Sequence, residues 1–263
     1  MEKQGIYAYA VVSNSQSRLD SPSSARRVKT DNIFLARYKD LTLVGETVDI
    51  ADFQKELQEA LINPKTMEGV LTEHQNTLDR LMRETTVVPF QFGTILKDKE
   101  GAVDHLKSSY ASYKELLKKF KDRQEWGVRV FADLKKFKTS LSQFNPETKE
   151  KLGSGTAYLL RRKQEEEVGE ATNEKLVSLS GEILNNLKEL AFDYKVTKSA
   201  QRLSEKGELL ISVFALLLDK SQIRKFSQKL AKLEKKYQEF GLEITSSGPW
   251  PAYNFVSPAS PER

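Results

Sequence analysis

The chain has 263 residues, of which 38% are hydrophobic and 30% charged, and it carries a net charge of +5. This length suggests one large or two smaller domains, and so mild a charge does not by itself argue for nucleic acid. The absence of cysteine excludes disulfides and thiolate metal sites, His74 and His105 alone argue against a zinc centre, and no apolar run reaches membrane-spanning length. The first residues do not read as a signal peptide, so a soluble cytoplasmic protein is the expectation.

Gly5 to Val12 alternates and is rich in β formers, which predicts a strand. The serine-rich stretch Ser13 to Ser24 reads as a loop. Ile33 to Tyr38 and Leu41 to Val48 read as a hairpin around Lys39-Asp40. Phe53, Leu57 and Leu61 predict a short helix that stops before Pro64, and Met67, Val70, His74, Leu78 and Leu81 predict a second. Thr85 to Phe92 reads as a strand with Phe90 and Phe92 on one side. From Val103 to Phe120 the apolar positions step by three and four, predicting one helix capped by Asp98 that joins the two halves.

Trp126 to Asp133 reads as a strand, Asp133 to Phe144 as a helix, and Gly155 to Leu190 as a long helix whose middle, Arg161 to Glu167, is almost wholly charged. Phe192 to Thr197 reads as a strand. Glu208 to Leu218 reads as a buried strand, although periodicity alone also allows a helix. Asp219 and Gln222 form a capping-box pattern ahead of the amphipathic helix Ile223 to Phe240, and Leu242 to Ser247 reads as the closing strand. The expected fold is α+β: two α/β domains, residues 1–122 and 123–263, the second ferredoxin-like with added helices and the first a possible modified version of it.

Chemical motifs are scarce. There is no Walker loop, dinucleotide-binding glycine fingerprint, nucleophile elbow or HExxH, and neither catalytic, cofactor nor metal residues are assigned. Gly153-Ser154-Gly155-Thr156 reads as a helix start capped by Ser154, and His74 as a packed histidine on an apolar helix face. Two stretches carry the interaction reading. Seven Lys or Arg and one acid lie between Lys220 and Lys236, and Lys225, Lys229, Lys232 and Lys236 lie on the polar face, either simply solvated or facing an acidic partner or RNA. Gly248 to Val256 holds Trp250, Tyr253 and Phe255 with Pro249 and Pro251, a stiff non-helical strap. Leaving its rings in water forgoes about 1.5–3 kcal/mol each, so the strap should dock, Trp250 and Phe255 on its own second domain, or else on a partner.

Three blocks of sequence resemble the gas vesicle proteins of the F/L family. Val87 to Thr94, with Pro89, Phe92, Gly93 and Thr94, is similar to that family's Pro-x-x-Phe-Gly-Thr block. Gly155 to Arg162 is similar to its Gly-x-Ala-Tyr-Leu block, and Gly248 to Val256 to its Gly-Pro-Trp-Pro-Pro-Tyr-x-Phe tail. Gln91 stands where arginine is common, and Ala252 replaces the tail's second proline. The resemblance implies a minor structural or accessory protein of gas vesicles, protein-walled buoyancy organelles in the cytoplasm. It implies contact with the small hydrophobic shell protein and support of assembly, with no catalysis or cofactor. An RNA-binding protein on a ferredoxin-like fold is the rival. The aromatic-basic strand motif of RNA-recognition modules is missing, and salt-dependent binding of single-stranded RNA discriminates the two. An enzyme without a recognisable motif is the third alternative.

Overall fold

A computed structural model describes residues 4–14, 33–144, 157–197, 203–204 and 207–256. The serine-rich stretch from residue 15 onward and the helix start expected at Gly153 to Thr156 lie outside the described residues. Two compact units divide the chain: Met1–Gln124 with Trp250–Arg263, and Glu125–Pro249. The strap expected with the second domain therefore falls with the first unit from Trp250 onward.

The first unit is built on β1 (Gln4–Ser13), β2 (Ile33–Tyr38), β3 (Leu41–Asp49) and the short β4 (Val87–Pro89) and β5 (Ile95–Leu96). The sheet order is β2-β3-β1-β4, with β5 also pairing β1, and every recorded pairing is antiparallel. From Gly5 to Ser13, β1 is buried without interruption. A central strand buried along its length requires cover on both faces. One cover is α1 (Ile50–Ile62) and α2 (Pro64–Glu84), which bring Phe53, Leu78 and Leu81 against Tyr7, Tyr9, Val12 and Val44. The other is α3 (Lys99–Ser108) and α4 (Tyr110–Phe120), which lie against β1, β2 and β4. Asp49 caps α1, Asn63 caps α2 and Asp98 caps α3 through side-chain oxygens, each satisfying amides that a helix start leaves without partners.

Register in this sheet turns on one bulge. Ala8 pairs with Gly45 and Ala10 with Val44, so Tyr9 is the extra residue. The extra residue keeps Tyr7 and Tyr9 on the same face as Ala10 and Val12. At Gly45 a Cβ would meet the Tyr7 carbonyl oxygen at 2.6 Å, so only glycine allows the strands to approach there.

Two expectations for this unit fail. The single helix through residue 120 is two helices broken at Ser109, which caps the first with its backbone amide. The strand expected over Thr85 to Phe92 ends at Pro89. Phe90 then packs on His105 and Tyr113, while Phe92 packs on Tyr7 and His74, so the two rings serve different neighbours.

The second unit follows the expected element order: β6 (Arg123–Ala132), α5 (Leu134–Phe144), α6 (Ala157–Lys188), β7 (Ala191–Thr197), β8 (Leu209–Asp219), α7 (Ile223–Gln238) and β9 (Leu242–Trp250). The region readable as strand or helix is strand. The sheet order is β7-β8-β6-β9. Alternate residues of three strands, Val128, Val130 and Ala132, Phe214, Leu216 and Leu218, Leu242 and Ile244, meet Phe137, Ile183, Leu187, Phe226, Leu230 and Tyr237 from the helices in one apolar core. The capping box does not form. A 3-10 turn, Lys220–Gln222, precedes α7, and neither Asp219 nor Gln222 makes a side-chain cap. Of the charged middle of α6 only the helical backbone is described.

Candidate functional site

Tyr7, His74 and Tyr253 form a hydrogen-bonded line that joins β1, α2 and the strap. The Gly93 amide donates to the Tyr7 hydroxyl at 3.4 Å, and that hydroxyl lies 2.7 Å from His74 Nδ1. The neutral ring carries one proton, so one nitrogen donates and the other accepts: with the proton on Nε2, which lies 3.1 Å from the Tyr253 oxygen, Nε2 donates to Tyr253 and Tyr7 donates to Nδ1. Beside this line Tyr9 donates to Glu46 at 2.8 Å, and the rings of Tyr9 and Phe92 each lie 5.6 Å from the His74 ring.

Burial sets the protonation states. His74 is 4% exposed, and desolvation depresses its pKa to about 4, so the imidazole is neutral at pH 7. The Tyr7 phenol is pushed up to about 12 by the same cause. His105, 2.6 Å from the Tyr113 hydroxyl, is also lowered by burial. A neutral histidine with both nitrogens engaged by tyrosines ties β1, α2 and the strap together. Among the described residues no group of three or more His, Asp or Glu could hold a metal ion.

The structure separates the strap's three rings. Phe255 is buried at 2% exposure, with the Lys119 ammonium 5.4 Å from its ring centroid. Tyr253 is half-buried and held by His74. Trp250, the last residue of β9, stays 37% exposed. The dock of Phe255 and Tyr253 is therefore the first unit, against the expected second domain, and Trp250 does not sink into a core. Nor is the strap non-helical throughout, because Tyr253–Phe255 is a 3-10 turn. Gly248 has φ +146, and a Cβ there would meet the Glu125 carbonyl oxygen at 3.0 Å and the Trp126 ring at 3.1 Å, which accounts for glycine at the head of the tail block.

In the second unit, Lys225, Lys232 and Lys236 are exposed on α7. Lys229 is more enclosed and donates to Glu189 at 2.9 Å, holding the Glu189 carboxyl below the usual carboxylate range. The Lys236 ammonium lies 4.7 Å from the Tyr237 ring centroid, and the Tyr237 hydroxyl donates to Glu182 on α6 at 3.1 Å. Three of the four lysines thus present charge to solvent, while Lys229 also ties α7 to the end of α6. The sequence reading named His74 and Tyr253 separately and missed the line between them. The available signal was a histidine on an apolar face, which needs polar partners once buried.

Comparison with known proteins gives one consistent result. The family described as "Gas vesicle synthesis protein GvpL/GvpF" matches residues 5–257. Gas vesicle protein L of Streptomyces sp. (strain CB03234) is 24% identical, covering 95% of this chain and 92% of that protein. Gas vesicle protein F1 of Halobacterium salinarum is 22% identical over 96% of this chain and 93% of that one. The crystal structure of the gas vesicle protein GvpF from Anabaena sp. PCC7120 superposes with a TM-score of 0.69 at 18% identity, covering 97% of this chain and 96% of that chain. GvpF from Microcystis aeruginosa gives 0.65 at 14% identity, with coverage of 96% and 99%. At such identities the two structures establish the shared fold, a mixed helix and strand architecture with two antiparallel sheets. The match over residues 5–257 goes further: the chain belongs to the GvpL/GvpF family of gas vesicle synthesis proteins.

Proposed function

We propose that this chain is a minor accessory protein of gas vesicles that contacts the small hydrophobic shell protein and supports vesicle assembly, and so buoyancy. The family match along nearly the whole chain is the observation that carries this reading. It acts by binding, without catalysis and in the gas vesicle of the cytoplasm. Exposed Lys225, Lys232 and Lys236 supply a cationic helix face, and Trp250 supplies a partly exposed ring. Tyr253 and Phe255 contribute indirectly, by anchoring the strap that carries Trp250.

The test is retention of shell protein by the immobilised full chain, for the wild type and for a triple variant, Lys225→Glu, Lys232→Glu and Lys236→Glu. Lys229 is left intact because a glutamate there would face Glu189. Retention by the wild type, weakened in the triple variant and by added salt, supports the reading. A wild-type chain that retains no shell protein refutes it.

A further inference from the structure

We infer that β7 is a self-pairing edge, through which two copies of this chain join antiparallel about an axis at Tyr194. This goes beyond the shell-protein reading and does not depend on it. Among the described residues β7 pairs only with β8, and it ends the sheet order. An open strand edge is a template for another strand. Three apolar side chains stand exposed along it: Phe192 at 53%, Tyr194 at 42% and Val196 at 55%.

The strand's sequence selects the occupant. An antiparallel pair centred on Tyr194 sets Asp193 opposite Lys195 of the second copy on both sides of the axis, so each charge meets its opposite. The register against β8 shifts between Ala191 and Asp193, so Phe192 is the extra residue of a bulge and the regular pairing runs from Asp193 onward. Centring on Asp193 or Lys195 sets like charges face to face. Shifting the axis by half a residue spoils the charge match. Lysine on an edge normally discourages pairing, and here the second copy's Asp193 offsets it.

The backbone agrees. The Tyr194 amide donates to its neighbour Asp193 Oδ1 at 2.8 Å, which marks this amide as facing the open edge. In the dimer it donates instead across the axis, and Asp193 turns to Lys195 of the second copy. Tyr194 lies beside Leu216 and Val196 beside Phe214, so both rise on the helix-covered face. There the Lys188 ammonium sits 5.7 Å from the Tyr194 ring centroid. On the same stripe of α6, Val177 is 62% exposed and a Cβ on Gly181 would meet nothing within 4 Å. The α6 helices of two copies can therefore close over the joined strands.

The experiment is sedimentation of the full chain across concentration, on the wild type, Asp193→Lys, Lys195→Asp and the double variant. A dimer in the micromolar range is expected, each single reversal weakening it at least about tenfold and the double variant restoring it. Recovery in the double variant cannot come from misfolding. Because the chain has no cysteine, Tyr194→Cys gives an independent check: oxidation should link two copies at that position. A wild type that stays monomeric up to its solubility limit, single reversals without effect, or a double variant that fails to recover overturns the proposal.

Discussion

The two units are held together by different physics. The second unit's core cluster is nearly all hydrocarbon, with the Tyr237 hydroxyl donating to Glu182 and buried Ser180 donating to Ser212 beside it. The first unit's core carries tyrosines and an imidazole, each satisfied by a neighbour. An apolar core is indifferent to pH and sensitive to volume. A hydrogen-bonded one is sensitive to any change that charges a member or removes a partner.

The sharpest way to separate them is a volume change in the second unit. Phe214 is 2% exposed between the sheet and its helices, so Phe214→Ala should cost roughly 3–5 kcal/mol. Chemical denaturation followed by hydrogen exchange of β6 and β8 amides checks this, and the loss should be the same at pH 5 and pH 7 (two values chosen to bracket histidine titration). A loss that changes strongly with pH would erase the contrast.

Acid should act on the other unit. The folded pKa of His74 is about 4, below its ordinary 6.5, so the unfolded chain takes up a proton first as pH falls. The contribution of the buried neutral ring is fully present above pH 6.5 and is lost as pH falls towards 4. Across that window the first unit should lose about 3 kcal/mol, with His105 adding in the same direction. Hydrogen exchange of β1 and α2 amides reads this directly. His74→Gln, which cannot titrate, should flatten most of the slope. An unchanged slope in that variant would sever the link between the tyrosine line and acid sensitivity.

What could be read in advance follows from the range of each interaction. The strands and helices of the second unit were legible because apolar spacing encodes them locally, as in Val128, Val130 and Ala132 of β6. The break at Ser109 was not, because Leu106, Tyr110 and Tyr113 continue the helical spacing across it. The opposite destinations of Phe90 and Phe92 were hidden by the early end of β4 at Pro89. The strap announced that it should dock through its rings, but nothing near it names the site: His74 lies 179 residues away. Which side chains would meet was therefore a tertiary fact, while which ones needed burial was a sequence fact.

Trp250, at the exposed end of the strap, carries the smallest expected effect. Phe255 is enclosed at 2% exposure and Trp250 is 37% exposed, so truncating the two rings should not cost the same. Phe255→Ala removes a core ring and should cost roughly 3–5 kcal/mol. Trp250→Ala removes a ring already partly in water, so roughly 1–2 kcal/mol is expected, from the smaller apolar area returned to solvent. Denaturation of both variants under one set of conditions gives the ratio. Shell-protein retention gives the second axis: the weakly destabilising Trp250→Ala should lower it at a pH where the fold is intact. If Trp250→Ala proves as costly to the fold as Phe255→Ala, the ring is structural, and the strap's outward face has no part in binding. If it costs little and retention is also unchanged, the exposed lysines of α7 must carry the contact without it.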